Sequence, residues 1–226
     1  MKNMKPKIRS SALLILVAIL FIAATTFYYQ EILFRAGSFL APNELTSAEV
    51  IIIEGDNFVS RSAIMIAKDL LNSGKVKQMI IVVHDYPIKE QIFAFPENYI
   101  QLMHKEMSQL KIKDDQYRII VTPNKHPITL NESKHVLDVL SKQGIHKALL
   151  LANGFHTRRS FLTYQYVALP QKITIIPMSY FTDYQLNQWW LTDSGFRDFV
   201  SESLKLIYYQ GMGYIPLKLS YKEMSR

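Results

Sequence analysis

Short apolar runs alternate with longer amphipathic ones along most of this chain. Residues 49–53 (EVIII), 78–83 (QMIIVV), 117–122 (YRIIVT), 147–152 (KALLLA) and 172–176 (KITII) are brief and rich in β-branched or aliphatic side chains. Between and after them lie stretches with helical periodicity: 58–72, stopped by Ser73-Gly74, then 99–110, 129–143, closed by Gly144, 156–167 and 193–209. Strands whose interiors are almost unbroken apolar runs are buried on both faces, and strands alternating with helices build parallel sheets. The pattern therefore predicts an α/β domain. It should be Rossmann-like, with a five-stranded, mainly parallel sheet and helices on both faces. The first and fourth strands, the most continuously apolar, should be central.

The N-terminus has a different texture. Residues 12–24 (ALLILVAILFIAA) carry no charge, and the uncharged stretch continues to Gln30. About 18 or more apolar residues suffice to cross a bilayer as a helix. Lys2, Lys5, Lys7 and Arg9 precede it without an acid, which favours a cytoplasmic N-terminus, and Tyr28 and Tyr29 suit the far interface. A signal peptide shares these features, but no A-x-A triplet closes the segment. The expectation is a basic flank at 1–10, one transmembrane helix at 11–29, a stalk at 30–47, an exported α/β domain at 48–210 and a basic tail at 211–226. The flank also accounts for much of the formal charge of +7, since 22 basic and 19 acidic residues remain beyond it. Nothing else points to nucleic acid, and Trp189 and Trp190 read as core or interface anchors. The absence of cysteine removes disulfides, thiolate metal sites and a cysteine nucleophile.

Ligands of open parallel sheets bind at the carboxyl ends of the strands. Polar residues gather there in this sequence: Glu54-Gly55-Asp56-Asn57 after the first strand, His84-Asp85 after the second, Pro123 to His126 after the third, and Asn153-Gly154-Phe155-His156 after the fourth, followed by Arg158 and Arg159. There is no G-x-G-x-x-G and no G-x-S-x-G, so neither a dinucleotide fingerprint nor a hydrolase elbow is present. Asp56, His84, Asp85 and His156 lack the spacing of a metal site, and no metal is expected. Thr129-Leu130-Asn131-Glu132 fits a capping box, with Glu132 either capping or serving a ligand. His104, His135 and His146 should face solvent. Two adjacent arginines at a helix start oppose the backbone dipole and need partners. Asp183 and Asp193 are candidates, with Arg158 the more exposed and Arg159 turned toward the strand ends.

These same residues carry a resemblance. Between Ser47 and Tyr209 the chain resembles the YdcF, SanA and ElyC group of bacterial envelope domains. The likeness lies in the first strand ending in Gly55, in Arg61 on the following helix, in Thr129 to Ser133 and in His156-Thr157-Arg158-Arg159-Ser160. The last stretch is similar to the family's H-x-x-R-A, with Ser160 in place of alanine. The one before it is similar to T-x-E-N-A, with Asn131 and Glu132 in reversed order, and His84-Asp85-Tyr86-Pro87 replaces a Gly-rich turn. The resemblance implies a Rossmann-like domain, often tethered by one N-terminal helix, in peptidoglycan or lipid-carrier maintenance. One member is associated with S-adenosylmethionine, which is not carried over to these altered loops; the cofactor stays open.

Residues and resemblance together lead to three readings. One is an extracytoplasmic, membrane-anchored domain binding an anionic envelope metabolite or lipid-linked headgroup through Gly55, Arg61, Asn131 and Arg159. Another is a hydrolase or transferase on a phosphorylated envelope precursor, with His156 as acid or base and Asp56 or Glu132 as its partner. The third is a membrane scaffold without catalysis.

Overall fold

The computed structural model describes residues 7–55, 59–85 and 96–216. Five strands, β1 (Val50–Ile53), β2 (Gln78–Asp85), β3 (Tyr117–Pro123), β4 (Lys147–Asn153) and β5 (Thr174–Tyr180), form one sheet in the order β3-β2-β1-β4-β5. All four pairings are parallel, and β1 lies at the centre with β4 beside it. The chain moves outward from β1 to β2 and β3, then returns across β1 to β4 and β5. That reversal opens a crevice between the carboxyl ends of β1 and β4.

The helices among the described residues are α1 (Lys7–Leu40), α2 (Arg61–Asn72), α3 (Pro96–Gln109), α4 (Ile128–Lys142), α5 (His156–Ala168) and α6 (Asp193–Gly211). Alternate residues of each inner strand enter opposite cores. Ile51, Ile53, Met79 and Ile81 pack with Ala63, Ile64 and Met107 of α2 and α3. Val50, Ile52, Ile80 and Val82 pack with Val136, Leu137 and Tyr164 of α4 and α5. A third cluster joins α1 to α6 through Leu40, Trp189, Leu206 and Tyr209. Trp189 is buried there and stacks on Phe199 with ring centroids 4.1 Å apart, the anchoring role expected of it.

Several boundaries depart from the expected ones for physical reasons. The last strand runs to Tyr180, through Pro177. Proline lacks an N–H to donate, but an edge strand needs donors on only one side. The second strand continues through His84 and Asp85, which pair with Thr122 and Pro123. The expected stalk is helical to Leu40 and docked on the domain: Trp189 Nε1 donates to the Leu33 carbonyl at 3.1 Å and Arg158 Nε to that of Phe39 at 2.6 Å. The expected capping box is absent. Pro127 is the N-cap of α4, Thr129 lies inside the helix, and Glu132 points into the core. Among the described residues no single helix is long and apolar enough to cross a membrane; Leu13–Phe21 and Thr26–Leu40, meeting at 53°, pass that test together.

Candidate functional site

The turn after β4 sets the site. Gly154, at a φ of +50°, lies so close to Tyr184 that a Cβ would fall 2.9 Å from its hydroxyl. Thr157 Oγ1 donates to the carbonyls of Ala152 and Gly154 at 3.2 and 2.7 Å, tying the first turn of α5 to the strand end. His156, the first residue of α5, is thereby held over the end of β1. Its Nε2 stands 2.9 Å from Glu54 Oε1, directly across the crevice. Glu54 Oε2 is buried and has no hydrogen-bond partner among the described residues. Both side chains line an open cleft of about 270 Å³, with Asn153, Asp198, Glu202 and Lys205 among its other walls.

Behind His156 lies a buried ion pair. Arg159 Nε donates to Glu202 Oε2 at 2.9 Å and Nη2 to Oε1 at 3.3 Å, while Nη1 donates to Thr129 Oγ1 at 3.0 Å. Nη2 also lies 2.8 Å from His156 Nδ1, and Glu202 Oε2 is 3.4 Å from the same nitrogen. A neutral imidazole with its proton on Nε2 accepts from Arg159, and a doubly protonated one donates to Glu202. The charged ring gives up the Arg159 bond, since two donors cannot share it. Burial, the largest single influence, pushes the His156 pKa down and the Arg159 charge adds to it; the Glu54 carboxylate together with the bonds to Glu202 and Glu54 outweighs both and raises it to about 9. Burial alone would push Glu202 up, but its contacts with His156 and Arg159 hold it far below the usual carboxylate range.

Beneath the crevice sits a second buried group. His84 Nε2 is 2.5 Å from Glu132 Oε2, and Tyr164 donates to Glu132 Oε1 at 2.6 Å. Burial raises the Glu132 pKa despite these two hydrogen bonds, so the carboxyl keeps its proton to higher pH than a solvated glutamate. Gly55 roofs this group: a Cβ there would lie 3.2 Å from both Glu132 Oε2 and His84 Nε2, and 3.1 Å from the Val82 carbonyl.

Of the residues expected at the site, Gly55, Glu132, His156 and Arg159 come together. Arg61 does not: it is exposed at the start of α2 and lies 3.5 Å from Glu106. Asn131 caps a local loop, donating to the Lys125 carbonyl at 3.0 Å, and does not line the cleft. Asp56 lies outside the described residues. Arg158 is the more exposed arginine and donates to the Phe39 carbonyl, while Arg159 turns to the strand ends, where its carboxylate partner is Glu202. The guanidinium expected to be open to an anion is thus engaged by a carboxylate.

Glu202 and Tyr164 were not expected at the site, and Glu54 was expected only as one of the polar residues that follow the first strand. Glu54 had a positional signal, as the first residue past β1. Glu202 stands in phase with the buried Leu206 and Tyr209, at i, i+4 and i+7, so an acid occupied a core-facing register of α6.

Comparison with protein-family models, with curated proteins and with solved structures finds no match to this chain. Its class is defined by its architecture alone: a Rossmann-like, all-parallel α/β domain with an ionisable cleft at the switch point of the sheet.

Proposed function

We propose that this chain is a membrane-anchored, extracytoplasmic domain of the YdcF, SanA and ElyC type, acting in peptidoglycan or lipid-carrier maintenance by binding a phosphorylated, hydroxyl-bearing headgroup. The observation that carries the binding reading is the Glu54–His156 contact across the switch point. Lys205, half exposed at the rim, gives one donor to Glu202 at 2.9 Å and keeps two for a phosphate, beside a His156 whose pKa is raised to about 9. Glu54 and Asp198 offer acceptors to hydroxyls, and Glu54 Oε2 has a lone pair still to satisfy. The anchor reading rests on the uncharged stretch after Lys2, Lys5, Lys7 and Arg9, and on α1, where Leu13 to Val17 are all more than half exposed. The N-terminus then lies in the cytoplasm and the α/β domain outside.

The same pair supports a second reading, a hydrolase or transferase on a phosphorylated envelope precursor. Protonated His156 would serve as general acid toward a leaving oxygen, with Glu54 holding the imidazole and Glu132 bonded instead to His84 and Tyr164. Calorimetric titration of the purified full chain with phosphorylated envelope sugars, and with their dephosphorylated counterparts, tests the binding reading. Affinity for the phosphorylated compounds alone supports it, and equal affinity or none refutes it. Release of product during the same incubation decides for catalysis.

A further inference from the structure

Helix α6 has two working faces. One turns Asp198, Ser201, Glu202 and Lys205 to the cleft and Leu206 and Tyr209 to the core. The opposite face carries Phe196, Val200, Leu204 and Ile207, exposed by 60%, 39%, 62% and 65%, at spacings of four, four and three residues. Leu191, just ahead of the helix, is 69% exposed, and the amphipathic ring of Tyr208 flanks the stripe. Helices of this kind ordinarily bury the apolar stripe and expose the polar one. Here the polar face is the one turned inward.

What covers the outer stripe follows from how α1 reaches the domain. Leu33 accepts from Trp189, Leu40 and Ala41 are buried, and a Cβ on Gly37 would fall 2.8 Å from Trp189 Nε1. The end of α1 is therefore fixed against the segment that leads into α6. Helix α1 runs unbroken from Tyr28 and Tyr29 to Leu33, a rise of only about 6–8 Å at 1.5 Å per residue. If those tyrosines mark the interface, no linker separates the bilayer from the domain.

We infer that the outer face of α6, with Leu191, rests in the interfacial layer of the membrane that holds α1. Such a surface sinks its apolar side chains about 5–10 Å into the headgroup and acyl boundary. The cleft on the other side of the same helix then opens at headgroup height. This deepens the proposed function, and rests on its membrane reading: the ligand is a phosphorylated headgroup still attached to its lipid rather than a free metabolite.

The chain contains no cysteine, so single labels can be introduced cleanly. Leu204→Cys samples the stripe, and Lys105→Cys on α3 samples an exposed position on the far side of the sheet. Each full-length variant is labelled with an environment-sensitive fluorophore and reconstituted in phosphatidylcholine–phosphatidylglycerol vesicles with brominated acyl chains. The expected result is severalfold stronger quenching by brominated lipid at 204 than at 105, with reduced quenching there by aqueous iodide. Integration is checked separately by alkaline extraction. A chain that integrates but whose label at 204 behaves like that at 105 overturns the inference and leaves the anchor standing. A label shielded from both quenchers means a protein partner and overturns it as well. A chain that is extracted defeats the anchor reading and the inference together.

Discussion

Replacing Arg159 by alanine tests whether this arginine is a free anion receptor or the counter-ion of a buried acid. Arg159 and Glu202 are each no more than a tenth exposed and share two hydrogen bonds. Truncating one partner of a buried pair leaves the other charge desolvated, which costs about 3–5 kcal/mol. Glu202 keeps Lys205 at 2.9 Å and His156 at 3.4 Å, so the lower end applies. The substitution also strips Thr129 Oγ1 of its donor and the Tyr209 ring of a guanidinium 4.8 Å away. A loss of about 3 kcal/mol in a chain of this size lowers Tm by roughly 6–12 °C, at about 2–4 °C per kcal/mol.

The assay is thermal unfolding of the ligand-free full chain in detergent, followed through the near-ultraviolet signal of its aromatic side chains, among them Trp189, which stacks on Phe199 of α6. Acid titration adds a direction. A carboxylate with a depressed folded pKa stabilises the fold above its ordinary value and loses that contribution as pH falls toward the folded one. The gap between wild type and Arg159→Ala should therefore narrow on acidification. Adding Glu202→Gln to Arg159→Ala should recover part of the loss, because the stranded charge is gone. A fall below about 2 °C at neutral pH, against the scale of several degrees expected per buried pair, would refute the ion-pair account.

Other substitutions test the remaining contacts. His156, raised to about 9, stabilises the folded chain fully below its ordinary value near 6.5 and loses that contribution as pH rises through 9. Wild type should therefore lose more Tm than His156→Gln between pH 7 and 9.5, and equal slopes would contradict the Glu54 contact. Glu132→Gln keeps a neutral, hydrogen-bonding side chain and should cost under about 1 kcal/mol, whereas Glu132→Ala strands Tyr164 and His84 at about 1–3 kcal/mol for each unsatisfied group. Urea unfolding of the two variants separates them. Gly55→Ala places a methyl 3.1–3.2 Å from Val82, His84 and Glu132 and should destabilise by about 1–3 kcal/mol, measured the same way.

The sheet was legible because its signal is local and repeated. Each strand is an apolar run, and the two most continuous runs, around Ile52 and Leu150, lie at and beside the centre. Where reading failed, the deciding atom came from a distant part of the chain. Thr129 and Glu132 have the spacing of a capping box, yet Arg159 and His84, 30 and 48 residues away, claim their side chains. Residues 30–47 read as a stalk on their mixed composition; what docks their helical part is Trp189, 156 residues from Leu33.

The candidate site was legible by edge and not by partner. Polar residues after β1 and β4 pointed to the right end of the sheet, since parallel strands place all their exits there. Which residues then meet depends on strand order, and β1 beside β4 brings Glu54 to His156 across 102 positions. Glu54 reaches His156 because the residue immediately past a central strand stays at the crevice; Asp56 lies outside the described residues. Glu202 shows the complementary gap. An acid in phase with a buried stripe costs several kcal/mol unless something pairs with it. The sequence also holds an arginine that needs a partner at the start of α5. Either conflict looks like an isolated blemish; together they define one buried pair, and that pair positions His156 in the cleft.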